Sequence, residues 1–125
     1  LDRSSAASDV YKRQLLLGGV RSTDYVARMG GEEFIVMLPD TGRDAACEVA
    51  EKLRQLLRST PLVYLGVVLP ITASFGVSGT EPGGGLSIDS LYAAADRALY
   101  VAKQLGRDQV QYAVPEVSER GAPTA

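Results

Sequence analysis

The sequence contains no histidine, no tryptophan and a single cysteine, Cys47, among its 125 residues. Without histidine, the chain cannot form a Ser-His or Cys-His nucleophile, a histidine-ligated zinc site or a histidine general base. A single cysteine excludes a disulfide within the chain and a cluster of thiolate ligands. We interpret Cys47 as a small, half-buried apolar residue of a helix. Any metal chemistry therefore uses oxygen ligands, which suit Mg²⁺, Mn²⁺ or Ca²⁺.

Excess charge and long apolar runs are also missing. The 13 Lys and Arg are balanced by 15 Asp and Glu, so nucleic acid and anionic membranes are not expected partners. No apolar stretch approaches the roughly 20 residues of a membrane span, and the N-terminus has no signal-sequence pattern. We expect one soluble, cytoplasmic domain without direct membrane contact, while an anchor or sensory module upstream stays open.

The most informative stretch is RMGGEEFIVML, residues 28–38. Gly30 and Gly31 lie between two strand-like segments, 25–29 and 34–38. They predict a two-residue hairpin turn, because glycine adopts the positive φ of such turns without steric cost. Segment 34–38 has no polar residue, which predicts a central strand covered on both faces.

Glu32 and Glu33 follow the two glycines and are expected at the tip of this hairpin. Two carboxylates beside bare backbone suit a divalent cation and a phosphate chain. When the motif is taken alone, an ordinary charged hairpin tip is the better explanation, because glutamate is common at exposed turns. The motifs elsewhere in the sequence are therefore needed to choose between the two interpretations.

An amphipathic helix is predicted over 43–59, with Asp40 or Thr41 as its N-cap. Segments 62–69 and 71–77 are rich in β-formers, and Pro70 separates them. The first helix buries the apolar positions that recur with helical spacing: Ala46, Val49, Ala50, Leu53, Leu56 and Leu57.

A glycine-rich loop over 79–85 precedes a second helix, which Ser87 caps and Gly106 ends. A short terminal strand is expected over 108–113. The apolar stripe of this helix is Ile88, Leu91, Tyr92, Ala95, Ala98, Leu99 and Ala102. The order of elements predicts an α+β fold in which helices pack on the faces of a sheet that contains antiparallel strands.

The two ends of the chain are expected to lie outside the domain, which we place at 15–113. Residues 1–14 are polar and aperiodic, and indicate either a foreign or mistranslated leader or a frayed native terminus. Residues 15–17 are typical of the last turn of a helix that Gly18 and Gly19 end. The tail, 114–125, is predicted to be disordered.

Three blocks of the sequence together resemble the GGDEF family of diguanylate cyclase domains. They are DYVARMGGEEF at 24–34, TASFGV at 72–77 and ADRALYVAKQLGR at 95–107. Their order and spacing match the family pattern, and the resemblance extends over 15–112. It implies a partial domain of nucleotidyl-cyclase or palm-like fold with a GGEEF signature.

The resemblance implies that two GTP molecules condense into cyclic di-GMP, a bacterial second messenger in signal transduction, with loss of two pyrophosphates. Each domain of an antiparallel homodimer presents one GTP. Glu32 matches the family's carboxylate ligand for Mg²⁺ or Mn²⁺, and Glu33 matches an acidic position implicated in catalysis. Gly30 and Gly31 leave room for the nucleotide.

The resemblance assigns four more residues. Lys103 and Arg107 match positions that hold the GTP phosphates, although cations near a helix C-terminus are also favourable by themselves. Arg21 and Asp24 match the R-x-x-D site of product inhibition, while a plain pair that stabilises a turn is the alternative. Lys52 is a weak candidate for a secondary contact.

This chain departs from the family pattern in two places. The family continues Arg-Asn-Arg where this chain has Arg107, Asp108 and Gln109, so a cation is missing and an acid is added. Nothing in 1–14 matches the family's N-terminal strand, which carries another metal-binding aspartate and the guanine-recognising Asn and Asp. We therefore expect an inactive fragment of an active cyclase. A non-catalytic cyclic di-GMP receptor and a plain interaction domain are the alternatives.

Overall fold

The computed structural model describes residues 3–30, 32–81 and 84–116, which form three helices and six strands. Their order confirms the predicted α+β class. The elements are α1 (Arg3–Gly18), β1 (Tyr25–Gly30), β2 (Glu33–Met37), α2 (Arg43–Ser59), β3 (Leu62–Tyr64), β4 (Val67–Leu69), β5 (Phe75–Val77), α3 (Ile88–Gln104) and β6 (Val110–Tyr112).

The core lies where α1 and α2 meet. Leu16 of α1 and Leu53 and Leu57 of α2 are buried together with Ile71. Phe34 of the β1–β2 hairpin packs against this cluster. Burying these side chains stabilises the fold by about 1.5–3 kcal/mol for each large apolar residue, and it fixes the hairpin on the helices.

The β1–β2 hairpin is antiparallel, as predicted, but its turn is displaced by one residue. Gly30 pairs with Glu33, so Gly30 belongs to β1 and Glu32 lies in the turn, and the prediction that Gly30 is a turn residue was wrong. The register shifts between Arg28 and Gly30, which leaves Met29 as an extra residue on β1. This bulge consumes one residue and moves the turn toward β2. Gly31 lies outside the described residues.

The expectation that 34–38 forms a central strand was also wrong. In the part of the chain that the structure describes, β2 pairs with β1 alone, and Met37 is 44% exposed. The strands there form three two-stranded sheets. An apolar run indicates that a strand can be buried on both faces, but it does not show which strands lie beside it.

Helix α2 has the predicted bounds, and Ala46, Ala50, Leu53 and Leu57 are its buried residues. Its predicted cap was wrong, because Gly42 occupies the N-cap without a side-chain hydrogen bond. Asp40 adopts a positive φ of 53°, and the Thr41 hydroxyl donates to the Pro39 carbonyl at 2.9 Å instead of capping the helix.

The segment 62–69 forms a hairpin rather than a single strand. Strands β3 and β4 are antiparallel, and Leu65 and Gly66 between them have φ values of 52° and 79°, which are typical of a type I′ turn. Within 71–77, only Phe75–Val77 is a strand, and it pairs in parallel with β6.

Helix α3 connects β5 to β6 and packs on β5. A Cβ added to Gly76 would overlap the α3 backbone at Ala95 and Leu99, so glycine is required for this close approach. Ser87 caps the helix as predicted, since its hydroxyl accepts from the Ser90 N–H at 3.1 Å.

The predicted inner face of α3 was only partly right. The fully buried residues are Ala94, Ala98 and Ala102, whereas Ile88 is 67% exposed. Small side chains line the contact because β5 lies so close to the helix. Gly106, with a φ of 117°, follows the helix as predicted.

The ends of the chain differ from expectation. Residues 3–14 are helical and belong to α1, although their sequence has no amphipathic period; alanines and long side chains favour the helix. The foreign origin of 1–14 stays a prediction. At the other end, Pro115 is buried and Val114 accepts a hydrogen bond from Arg97, while the predicted tail beyond 116 lies outside the described residues. Across the described ranges, no helix is long and apolar enough to cross a membrane.

Candidate active site at the β1–β2 hairpin

The tip of the β1–β2 hairpin presents two carboxylates to solvent. Glu32 lies in the turn and Glu33 is the first residue of β2; both are exposed. The Glu32 side chain makes no hydrogen bond or ion pair with any residue that the structure describes. Its carboxylate oxygens are therefore accessible to a ligand from solvent.

The last turn of α3 reaches this tip. Lys103 Nζ lies 3.7 Å from Glu33 Oε2, which is an ion pair between partly exposed groups. The two residues are far apart in the sequence, and the fold brings them together. A surface pair of this kind contributes little stability, about 0–1 kcal/mol, so it can be replaced by another charged partner. The structure thus joins two of the residues singled out by the sequence.

Arg107 differs from its expected placement. Helix α3 ends at Gln104, so Arg107 lies beyond it and does not share a helical face with Lys103. Its φ is 64°, and its N–H donates to the Ala102 carbonyl at 2.9 Å. Within the described residues, its exposed guanidinium has no hydrogen-bond or ion-pair partner.

Arg21 and Asp24 form a hydrogen-bonded ion pair immediately before β1. Arg21 Nη2 donates to Asp24 Oδ1 at 2.8 Å, and the Arg21 backbone N–H donates to Asp24 Oδ2 at 2.8 Å. The Asp24 side chain is 2% exposed, while that of Arg21 is 56% exposed. The hydrogen bonds from Arg21 lower the pKa of Asp24, and the same contact raises the pKa of Arg21.

The same guanidinium also contacts the segment that follows β2. Arg21 Nη2 donates to the Pro39 carbonyl at 2.9 Å and to the Thr41 hydroxyl oxygen at 2.8 Å. Arg21 therefore joins the residues before β1 to those after β2, at the base of the hairpin whose tip carries Glu32. Thr41 was not singled out from the sequence in this role.

The side chains that could bind a divalent cation are of the right chemical type, but they are too few. Glu32 and Glu33 offer hard oxygen ligands, but no group of three or more acidic, Cys or His side chains comes together among the described residues. Mg²⁺ is commonly bound by one or two protein carboxylates together with water and substrate phosphates. Glu32 and Glu33 are thus the residues that could hold such an ion.

Sequence reasoning missed an ion-pair cluster between α2 and the turn after α3. Arg54 Nη1 donates to Asp108 Oδ1 at 3.1 Å, and Arg58 Nη1 donates to Asp108 Oδ2 at 3.2 Å. Arg54 also holds Glu51 through two bonds of 2.7 Å, which lower the pKa of Glu51 to about 2 and raise that of Arg54. Only the unusual acid at position 108 was visible in the sequence, and its two arginine partners were not.

The fold and the site define an α+β domain with an acidic hairpin tip that faces a helix-borne lysine. The sequence profile of the family described as "Diguanylate cyclase, GGDEF domain" matches residues 12–109. The chain belongs to the GGDEF family, which confirms the resemblance seen in the sequence.

Two curated relatives are named as diguanylate cyclases. The chain is 39% identical to diguanylate cyclase DgcP of Pseudomonas aeruginosa over 94 residues, which cover 75% of this chain and 14% of that protein. It is 39% identical to diguanylate cyclase A of Treponema denticola over 112 residues, which cover 84% of this chain and 29% of that protein. The chain therefore spans less than a third of either relative.

Solved structures with similar folds are GGDEF domains. Diguanylate cyclase SiaD of Pseudomonas aeruginosa, solved with its activator SiaC, superposes with a TM-score of 0.78 at 32% identity, covering 86% of this chain and 40% of that one. The GGDEF domain of DgcB from Caulobacter crescentus, solved in complex with c-di-GMP, superposes with a TM-score of 0.76 at 28% identity. The match covers 85% of this chain and 63% of the DgcB chain.

Proposed function

We propose that this domain is a diguanylate cyclase domain that condenses two GTP molecules into cyclic di-GMP and two pyrophosphates. The observation that carries the proposal is the 3.7 Å approach of Lys103 Nζ to Glu33 Oε2. This contact places Lys103, a cation that can bind phosphate, next to the hairpin that carries the acidic signature. Family membership supports the reaction class, and the relatives named as cyclases support the product.

Each residue at the tip has a distinct role in this proposal. Lys103 donates to phosphate oxygens of GTP and exchanges Glu33 for the triphosphate, which carries more negative charge. Gly30 and Gly31 admit the nucleotide against bare backbone. Glu33 is then available beside the reacting groups, and Arg107 adds a second cation to the phosphate chain.

Glu32 would hold Mg²⁺ or Mn²⁺, with Glu33 close by. When bound, the ion would neutralise the negative charge of the triphosphate and the charge that develops on the attacked α-phosphate. A ribose hydroxyl of one GTP forms a bond to the α-phosphorus of the other, the bond to the β-phosphate oxygen breaks, and pyrophosphate leaves with loss of the hydroxyl proton. Two such steps, with one GTP presented by each domain of a homodimer, close the ring.

Arg21 and Asp24 form the proposed site of product inhibition. The exposed guanidinium of Arg21 is held by Asp24, Pro39 and Thr41, so its direction is fixed before a ligand arrives. Arg21 would make hydrogen bonds to a guanine edge or a phosphate. Asp24 was expected to accept from guanine N–H groups, but its side chain is 2% exposed and accepts from Arg21, so it would hold the guanidinium in place instead. A pre-ordered arginine loses little side-chain entropy on binding, which favours affinity.

The 125-residue chain by itself is proposed to be inactive. Its described residues gather too few carboxylates for a complete cation site, and residues 1–14 carry none of the family's guanine-recognition motifs. We refer below to the protein extended at its N-terminus through those motifs as the extended protein. Catalysis is expected only there and only as a dimer.

The alternative function is a receptor that binds cyclic di-GMP without catalysis. The 2.8 Å ion pair between Arg21 and Asp24 favours it, because this site needs neither Glu32 nor Lys103. To separate the two functions, the extended protein is incubated with GTP and Mg²⁺, and binding of labelled cyclic di-GMP is measured in parallel. Pyrophosphate release supports the cyclase. Absence of release, together with binding that Arg21→Ala abolishes, supports the receptor and overturns the cyclase.

A further inference from the structure

The turn after α3 has an unusual backbone. Gly106, Arg107 and Asp108 have φ values of 117°, 64° and 47°, so three consecutive residues lie in the left-handed region. Glycine takes this conformation freely and aspartate tolerates it, whereas the Cβ and long side chain of arginine disfavour it. A turn of this kind persists only when its surroundings restrain it.

Asp108 supplies that restraint on two sides. Its N–H donates to the Ser74 hydroxyl at 3.1 Å, just before β5. Its carboxylate oxygens accept hydrogen bonds from Arg54 Nη1 at 3.1 Å and Arg58 Nη1 at 3.2 Å, and both arginines belong to α2. The turn is therefore fixed to two other elements by the residue that directly follows Arg107.

Arg54 is the more buried of the two arginines. Its side chain is 16% exposed, compared with 66% for Arg58. Glu51 holds the other edge of its guanidinium by two bonds of 2.7 Å, and Gln55 in turn donates to Glu51 at 2.9 Å. Arg54 thus reaches Asp108 from a position that its own helix has already fixed. The fork geometry is specific to arginine, because lysine cannot hold two carboxylates in this way.

We infer that Arg54 is a positioning residue for the phosphate-binding turn: by holding Asp108, it keeps the left-handed Arg107 where it can meet a triphosphate. This inference rests on the proposed function, since it takes Arg107 as a phosphate ligand. It also explains the acid at position 108. The negative charge of Asp108 is compensated by two arginines of α2 and does not oppose an incoming phosphate.

The test uses the extended protein and the variants Arg54→Ala and Arg43→Ala. Arg43 is a matched control, because it belongs to the same helix and stacks on Tyr112 at 4.2 Å without contacting Asp108. Arg54→Ala is expected to raise KM for GTP about tenfold, a cost typical of a displaced binding group, with little change in kcat. Arg43→Ala should leave KM unchanged even if it lowers the melting temperature.

Two further measurements distinguish positioning from general stability. Arg54→Ala combined with Arg107→Ala should have the KM of Arg107→Ala alone, because two residues that act as one unit are not additive. Hydrogen exchange of the Arg107 N–H, which donates to Ala102 in the intact turn, should accelerate in Arg54→Ala and not in Arg43→Ala. Asp108→Asn, which keeps an acceptor and tolerates the left-handed backbone, should retain more GTP affinity than Asp108→Ala.

An unchanged KM in Arg54→Ala, or additive effects in the double variant, would overturn the inference while the cyclase function stands. If the unsubstituted extended protein neither binds nor turns over GTP, the proposed function fails and the positioning role fails with it. The two failures are therefore distinguished by the unsubstituted protein.

Discussion

Lys103 of α3 and Glu33 of β2 form an ion pair, with 3.7 Å between Nζ and Oε2. The pair is partly exposed on both sides, so water screens it and little stability depends on it. Both groups are therefore available to a substrate. In the proposed function, the triphosphate takes the ammonium and the carboxylate is released at the hairpin tip, so that a helix end and a sheet end act on one nucleotide.

Lys103→Ala is therefore expected to weaken GTP binding while the fold is retained. KM for GTP should rise about tenfold or more, because a charge-assisted hydrogen bond to phosphate is lost. Gln104→Ala, on the same exposed turn of α3, is the matched control and should leave KM unchanged. Steady-state kinetics of the extended protein measure both. Equal KM values for the two variants would contradict the phosphate-binding role of Lys103.

Glu32→Gln should abolish pyrophosphate release with an unchanged melting temperature. The substitution removes the charge of the proposed cation ligand, and Glu32 is exposed and makes no contact that the core needs. Glu48→Gln, an exposed carboxylate of α2, is the control and should retain full activity. Full turnover in Glu32→Gln would remove the metal-ligand assignment.

Arg21→Ala should relieve inhibition by cyclic di-GMP and leave the initial rate within about twofold of the original, because coupling between two sites is separable from catalysis itself. Thr41→Val is an informative control: it removes one contact to the Arg21 guanidinium and keeps the guanidinium itself. The inhibition constant should change greatly in the first variant and slightly in the second. An inhibition constant unaltered by Arg21→Ala would show that the pair with Asp24 only stabilises the turn.

Acid stability should depend on Glu51. Its pKa falls from 4.5 to about 2 in the folded protein because Arg54 and Gln55 hydrogen-bond to the carboxylate. The unfolded chain therefore binds the proton more tightly, so this stabilisation is present above pH 4.5 and disappears as the pH falls toward 2. Melting temperatures of the unsubstituted protein and Glu51→Gln should differ near neutral pH and converge in acid. A constant difference across that range would contradict the shift.

Gly76 gives a test of the fold that is independent of function. Gly76→Ala should destabilise the protein by about 1–3 kcal/mol, because its Cβ would overlap the α3 backbone and force β5 and α3 apart. Gly18→Ala is the matched substitution, since no heavy atom lies within 4 Å of the added Cβ. It should be neutral or stabilise α1 by about 0.5–1 kcal/mol. Denaturant unfolding of both variants measures the contrast.

The regular elements of the fold could be predicted because local sequence determines them. The bounds of α2 followed from an uninterrupted 3.6-residue period, and the cap at Ser87 followed from side-chain chemistry. The N-cap of α2 could not be predicted, because Thr41 is engaged by Arg21, a distant residue. The hairpin turn was misplaced because a bulge at Met29 has no signal in the sequence.

The site was predictable in part for the same reason. Glu32, Glu33 and Lys103 belong to recognisable motifs, and the structure brings the last two together. The contact between Arg54 and Asp108 joins residues 54 positions apart, through a left-handed turn that residue preferences disfavour. In the sequence alone, Arg54 is indistinguishable from the other outward-facing charged residues of an amphipathic helix.

The central claim is the condensation of GTP at the hairpin tip, and its most direct test is a stoichiometric measurement. The extended protein, incubated with GTP and Mg²⁺, should release two pyrophosphates for each cyclic di-GMP formed, as the reaction requires, while the 125-residue chain should release none. Separation of the nucleotides, with pyrophosphate measured in the same samples, gives both quantities. An extended protein that stays dimeric and folded, binds cyclic di-GMP and releases no pyrophosphate would contradict the account.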